Sequence, residues 1–280
     1  MTGPPPGAVG WRRLRAWSPA PSIRASFALH GLGAVVVAAQ PQAWPQVLGV
    51  LAFNHALLTC CMHPRSAILG PNMTRLPAAD RAQVALTFDD GPDPDVTPRV
   101  LDILESYGAK ASFFVIGSKA ARCPALLRDI VARGHTVENH TQNHPNGFAF
   151  GGPRILWREV DQAQRTIVDA CGQAPRFFRA PMGLRNPFMD PVLSMAGLSL
   201  VAWTRRGYDT VRHQPTWVLD RLSRSLAARD ILLLHDGNSA RDANGIPIVL
   251  TVLPRLLERI AAQNLSAVSL AAIPPSTAAR

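Results

Sequence analysis

Hydrophobic positions fall into two textures along the chain. In the first quarter they form nearly unbroken runs, residues 27–39 (FALHGLGAVVVAA) and 47–62 (VLGVLAFNHALLTCCM), joined by QPQAWPQ, a proline-marked turn carrying Trp44. From residue 84 onward, short apolar runs alternate with amphipathic stretches, which predicts strands and helices in turn. The predicted strands are 84–88, 112–116, 136–138, 176–178, 198–203, 231–234 and 267–270. The predicted helices are 97–107, 124–133, 155–170, 215–228 and 248–262. The first of these opens on Thr97 and Pro98 and stops before Gly108, the punctuation of a helix start and end. About seven βα units point to an α/β protein with a parallel, distorted or incomplete (β/α) barrel.

The two apolar runs have a different character. Each is shorter than the ~20 residues that span a bilayer comfortably, and the second contains Asn54 and His55. A membrane hairpin is the first reading, because two apolar segments with a tight turn pack as a pair. A cleaved signal peptide ending near Ala38 and Ala39 is a second, and leaves the second run unexplained. Two buried helices capping a soluble domain is a third. The chain then divides into a basic, disordered leader (1–24), an apolar helical hairpin or membrane anchor (25–63), a linker (64–83) and an α/β domain (84–275).

Composition narrows the class. At 280 residues with 47% hydrophobic content the chain is long enough for a full core and too apolar to be disordered. Four cysteines without a CxxC pair make neither a disulfide scaffold nor a cysteine zinc site. The formal charge of +10 is uneven: residues 1–79 hold six arginines and no acid, whereas residues 80–280 hold 23 basic and 19 acidic side chains. That asymmetry suits a membrane-facing leader better than a nucleic-acid surface, and no nucleic-acid motif is present. Arginines 12, 13, 15 and 24 precede the first apolar run and favour a cytoplasmic N-terminus, and a full hairpin then returns the barrel to that side.

Ionisable residues follow the apolar runs. Asp89 and Asp90 come after the first, His140 and His144 after the third, Arg179 after the fourth, Asp209 shortly after the fifth, and His235 and Asp236 after the sixth. In a parallel barrel those strand ends share one rim. An i, i+4 histidine pair on a helical turn sets two imidazoles about 6 Å apart, close enough for two ligands of one metal. Alone, such a pair also suits a solvated surface. Asp-Asp-Gly-Pro is likewise good turn chemistry. Neighbouring residues of a strand alternate faces, so Asp89 and Asp90 share one site only at the strand's end. Two histidines and one aspartate leave positions open for water and substrate, a catalytic arrangement rather than a structural one.

These segments resemble the motifs of the polysaccharide deacetylase family, the NodB-homology carbohydrate esterases. Thr87-Phe-Asp-Asp-Gly-Pro92 is similar to its first motif and His140-Thr-Gln-Asn-His144 to its H-[ST]-x-x-H motif. Arg179-Ala-Pro-Met-Gly183 resembles its R-x-P motif and Leu232-Leu-Leu-His-Asp236 its L-x-H motif. The resemblance implies a distorted (β/α) barrel and metal-dependent removal of acyl groups from sugars, and leaves the first 79 residues outside it. It implies that Asp90, His140 and His144 hold a divalent metal, zinc foremost, with cobalt, nickel or iron as alternatives. Asp89 would be the general base, oriented by Arg179, and His235 the general acid, oriented by Asp209. A backbone N–H near Met182 would face the oxyanion, and Leu233 would wall the acyl pocket or simply pack in the core. One motif departs from the family's W-x-x-D-x-x-D-W: Trp203-Thr-Arg-Arg-Gly-Tyr-Asp209-Thr210 has Arg206 at the first Asp and Thr210 at the final Trp. Arg206, with Arg185, would then recognise an anion such as phosphate on a lipid-linked sugar.

The expected activity is therefore removal of an N-acyl group, acetyl first, from an amino sugar in a glycan or lipid-linked saccharide. Deformylation of a phosphate-bearing lipid-linked sugar, hydrolysis of a non-sugar amide and non-catalytic glycan binding are the alternatives. The expected partners are an N-acylated saccharide or glycolipid and a membrane met through residues 25–63, with no nucleic acid. An inner-membrane location follows, the barrel on the cytoplasmic face or, alternatively, periplasmic or secreted.

Overall fold

The computed structural model describes residues 17–78 and 82–273. Most of the leader expected over residues 1–24 lies outside the described residues. Eight strands form one sheet: β1 (Gln83–Gly91), β2 (Ser112–Val115), β3 (Thr136–Asn139), β4 (Phe177–Phe178), β5 (Ser199–Leu200), β6 (Arg205–Arg206), β7 (Ile231–His235) and β8 (Ser266–Val268). Their order is β5-β4-β3-β2-β1-β7-β6, with β8 on the first residues of β1, and every ladder is parallel. The sheet curls into the incomplete barrel that the strand–helix alternation predicts.

Nine helices are described: α1 (Pro21–Ala39), α2 (Trp44–Cys60), α3 (Thr97–Ser106), α4 (Gly117–Arg122), α5 (Pro124–Ala132), α6 (Pro153–Cys171), α7 (Met189–Ala196), α8 (Pro215–Ser223) and α9 (Ile248–Ala262). The sequence pattern does not reveal α4 and α7, which have six and eight residues, too few to display a helical period. α8 stops at Ser223 rather than at 228. The Arg205 guanidinium takes the carbonyls of Arg224 and Ser225, and Arg224 is extended.

Alternation along the central strand positions the site. Val84, Leu86 and Phe88 of β1 pack outward with Val100, Leu104, Leu253 and Leu256 of α3 and α9. Ala85 points into the barrel, where it joins Phe114, Phe177, Val201, Trp203 and Leu233. The same period of two sends Thr87 and then Asp89 inward. Apolar packing fills the bottom of the barrel, and polar groups occupy its carboxyl-terminal end.

The predicted strand 198–203 is reduced to two paired residues, and a strip ahead of β1 takes over the rest. Met73 bridges Val201 in parallel, its N–H bonds to Leu200 O, and it accepts from Ala202 N. Thr204 Oγ1 donates to Thr74 O at 2.7 Å, and Leu76 N donates to Arg229 O. Arg75 reaches the fully buried Asp230 at 3.0 Å. Leu69 and Leu76 are buried. This part of the span read as a linker thus covers the seam beside β5 and β6.

α1 and α2 form a helical pair joined by a single 3-10 turn, Pro41–Ala43. Gly33 lies so close to Val47 that an added Cβ would sit 2.8 Å from its side chain, and Asn54 Nδ2 donates to Ser26 Oγ at 2.8 Å. Only Ile23, Ser26 and Gly33 of α1 are buried, and no residue of α2 is. Phe27, Leu32, Val35, Leu48 and Phe53 are more than half exposed. α1 is long and apolar enough to cross a membrane.

Leu76→Ala tests whether the strip belongs to the barrel. It is expected to lower the unfolding free energy by about 2–4 kcal/mol in chemical denaturation. A loss below about 0.5 kcal/mol, the size of an ordinary surface change, would mean that the strip is only a tether.

Candidate active site

Asp89 and Asp90 reach the same space because β1 is bulged between them. The ladder to β2 pairs Asp89 with Phe114 and next pairs Gly91 with Val115, skipping Asp90. Asp90 has φ +70°, a left-handed conformation uncommon for a residue with a side chain. Two glycines make room for the bulge. A Cβ on Gly91 would lie 2.2 Å from Asp236 Oδ2, and one on Gly237 would lie 2.0 Å from Asp90 O.

His140 and His144 lie on an irregular loop after β3, not on the helical turn expected from their spacing. Positive φ at Thr141 and His144 folds that loop back, bringing the ring centroids to 5.0 Å. Thr141 N donates to Asn139 Oδ1, and His144 N donates to Thr141 Oγ1, both at 3.0 Å. From α6, the buried Glu159 accepts from Asn143 N at 2.8 Å and from Asn143 Nδ2 at 2.9 Å. Sequence reasoning misses Glu159 and Asn139. The available signal is a carboxylate among the buried apolar positions of α6, beside Leu156, Val160 and Ala163.

Asp90, His140 and His144 are the one group among the described residues whose ligand atoms converge as a metal site, within 4.8 Å of one another. Asp90 Oδ1 is 3.3 Å from Nε2 of each histidine, and it is buried without a hydrogen-bond partner. His140 Nδ1 lies 2.7 Å from Arg179 O, a carbonyl that only accepts, so Nδ1 carries the proton. Nε2 is therefore the nitrogen turned to the carboxylate oxygen, and a proton or a cation must lie between the two. Ligand atoms bound tetrahedrally at about 2.0–2.1 Å sit about 3.3–3.4 Å apart, which is the spacing Asp90 Oδ1 keeps to each histidine. The residues fit a divalent ion.

Electrostatics agree with that fit. Burial alone would raise the Asp90 pKa, but the imidazoles of His140, His235 and His144 overcome it and hold Asp90 well below the usual carboxylate range. Burial lowers the His140 pKa, and the charges of Asp89 and Asp90 reverse this to a net rise. His144 is pushed down by burial and by neighbouring His140.

Asp89 is buried beside this cluster. Arg179 Nη1 donates to its Oδ1 at 2.6 Å and to Thr87 Oγ1 at 2.9 Å. Nε and Nη2 donate to Val201 O and Ala202 O, and the guanidinium stacks 4.1 Å from the Phe114 ring centroid. Four hydrogen bonds hold the Arg179 guanidinium, so it fixes Asp89 and leaves Oδ2 turned toward His140, 3.9 Å away. On β7, His235 stands opposite Asp89 in register. Asp209 accepts from His235 Nδ1 at 2.9 Å and from His235 N at 2.8 Å. Burial lowers the His235 pKa, and the Asp209 carboxylate more than compensates, so the net shift is upward. Asp236, also buried, accepts from Thr97 Oγ1 at 2.6 Å, and burial pushes its pKa up to about 7.

The remaining expected residues divide. Met182 is 45% exposed with φ +57°, and its N–H stands outside the hydrogen bonds of its own turn, which Gly183 and Leu184 donate. Leu233 is 1% exposed within the barrel core, opposite Thr87 and Arg206. Arg206 sits between the rings of Trp203 and Tyr208, 5.4 and 5.0 Å from their centroids. Arg185 is not at the rim. It is fully buried, and Nη1 donates to Gly70 O and Pro71 O at 3.1 Å each. The strip before β1 covers it, and burial pushes its pKa down to about 10.

A parallel half-barrel carrying an Asp-His-His cluster, an arginine-held aspartate and an aspartate-held histidine on one rim defines a metal-dependent hydrolase frame. The polysaccharide deacetylase family profile matches residues 77–201. A chitooligosaccharide deacetylase of Sinorhizobium fredii is 43% identical over 155 residues, 55% of this chain and 72% of the relative. A peptidoglycan-N-acetylglucosamine deacetylase of Bacillus cereus is 31% identical over 175 residues, 62% and 81% of the two chains. A family 4 carbohydrate esterase of Streptomyces lividans, solved with acetate, superposes with a TM-score of 0.62 at 30% identity, covering 72% of this chain and 97% of that one. The chain belongs to the polysaccharide deacetylase family and is a metal-dependent carbohydrate deacetylase.

Asp90→Ala and His144→Ala are each expected to take the divalent metal content of the purified protein from near one per chain to a small fraction, measured by elemental analysis. Gly237→Ala touches no ligand side chain but displaces the Asp90 backbone. It is expected to weaken metal affinity about tenfold in a competition titration.

Proposed function

We propose that this chain removes the acetyl group from N-acetylglucosamine units of a saccharide, using a divalent ion, zinc foremost, held by Asp90, His140 and His144. The pairing of two proton-handling groups across adjacent strands carries the reading. Asp89 is committed to Arg179 through one oxygen and open through the other, and His235 is held toward its protonated form by Asp209. The names of the curated relatives support the sugar.

The ion supplies Lewis-acid polarisation of the acyl carbonyl and acidifies water in the site. Asp89 Oδ2 takes a proton from the attacking water as its oxygen bonds to the carbonyl carbon. The Met182 N–H is assigned to the oxygen that gains negative charge, a role its lack of a partner within its own turn supports. His235 Nε2 gives its proton to the departing nitrogen as the C–N bond breaks, which turns a poor leaving group into a free amine. Products are acetate and the amino sugar. Leu233 lies beneath the acyl group. α1 and α2 hold the enzyme at a membrane, the barrel being tied to them through the strip that follows α2.

Two variants test the assignment. Asp89→Asn is expected to keep its metal and lose about 10²–10⁴-fold in turnover; near wild-type activity would remove Asp89 from the role of base. Because Asp209 raises the His235 pKa, the protonated acid persists to higher pH and is lost as pH rises through that raised value. Asp209→Asn is therefore expected to move the alkaline limb of the kcat profile to lower pH. An unmoved limb would assign that ionisation elsewhere.

A further inference from the structure

Beside the catalytic rim lies a second concave site that deacetylation of a neutral glycan does not require. It is a cavity of about 460 Å³ between β6, α8 and the first residues after α2. Arg65, Arg206, Arg221 and Arg224 line it, and none of the four has a carboxylate partner among the described residues. The carboxylate on its wall, Asp220, is taken by Arg259 at 2.9 Å. Arg206 is held in place by its two aromatic neighbours, and its Nε is buried without a hydrogen-bond partner. Like charges converging on one space repel unless an anion joins them, and guanidinium groups fixed by aromatic stacking are suited to phosphate oxygens.

The position of the cavity says what the anion is attached to. Trp203 forms the wall toward the catalytic centre. Its ring packs so closely on Gly183, next to Met182, that an added Cβ there would sit 2.3 Å away. Burial depresses the pKa of Arg179, and the Arg206 charge acts in the same direction. The opposite wall, His63 to Arg65, begins within three residues of the end of α2. An anion in this cavity therefore sits between the apolar helical pair and the deacetylation centre. A cavity of this size takes a phosphate and part of a sugar, not a folded partner or a nucleic-acid strand.

We infer that this cavity binds the phosphate of a saccharide phosphate, so that the substrate class is an N-acetylated sugar carrying a phosphate ester near its acetamido group. This deepens the deacetylase reading and rests on it only for the placement of the acyl sugar. Of the two arginines expected from sequence to meet an anion, Arg206 keeps that place and Arg185 does not, while Arg65, Arg221 and Arg224 join it.

The test is calorimetric binding to the full chain in uncharged detergent, with N-acetylglucosamine 1-phosphate, N-acetylglucosamine, inorganic phosphate and mixed micelles of that detergent with phosphatidylglycerol as probes. The sugar phosphate is expected to bind at least about tenfold more tightly than the neutral sugar or phosphate alone, a size in keeping with charge-assisted contacts. Arg221→Gln/Arg224→Gln is expected to abolish that advantage, and the single variants Arg221→Gln and Arg65→Gln to reduce it, with unchanged thermal melting. Equal binding of sugar phosphate and neutral sugar overturns the inference, as does an advantage that survives the double variant. Inorganic phosphate binding as tightly as the sugar phosphate overturns the saccharide assignment. Binding to the phosphatidylglycerol micelles that the sugar phosphate does not displace, and that the double variant loses, assigns the cavity to a lipid surface and overturns the inference. Acetate release from neutral chitooligosaccharide by the same preparation reports separately on the deacetylase reading.

Discussion

The site depends on one constraint: two consecutive carboxylates of a central strand must face the same cavity. A regular strand forbids it, since alternation sends neighbours to opposite faces. The bulge at Asp90 resolves the conflict, and the surroundings are fitted to it. Gly91 and Gly237 leave space where any side chain would collide, the carboxyl group of Asp236 closes over Gly91, and Lys119 Nζ donates to Asp90 O at 2.8 Å. The left-handed backbone at Asp90 costs conformational energy of order 1 kcal/mol or more, and it persists because these contacts over-determine it.

Around the bulge the two aspartates are given different tasks by their partners. Asp89 meets a buried arginine held by four hydrogen bonds. Asp90 meets two imidazoles and has an oxygen with no other partner. The same device recurs on β7, where Asp209 holds both the ring and the backbone N–H of His235. Asp89 and His235 are thus each one bond away from a buried residue that fixes them, which keeps the geometry from depending on exposed loops.

Much of this was legible in the sequence, and the reasons for the rest are physical. The short apolar runs 84–88 and 231–234 place Asp89 and His235 at strand ends, because apolar residues on both faces mark a buried parallel strand. The bulge is not legible, since its cause lies in glycine contacts with residues almost 150 positions away. The i, i+4 spacing of His140 and His144 reads as a helix, whereas left-handed residues 141 and 144 make it a loop pinned by Asn139 and Glu159. Residues 64–76 fall in the span read as a linker; their structure comes from backbone hydrogen bonds to distant strands, which composition does not encode. Arg185 reads as a rim arginine for the same reason, since nothing in its neighbourhood announces that Gly70 and Pro71 cover it.

The central claim, that an ion held by Asp90, His140 and His144 serves deacetylation of an N-acetylated sugar, is tested most directly by acetate release from N-acetylglucosamine oligomers before chelation, after chelation, and after zinc is restored. Release is expected to stop on chelation and to return with about one zinc per chain. Release that continues undiminished in metal-free protein would contradict it.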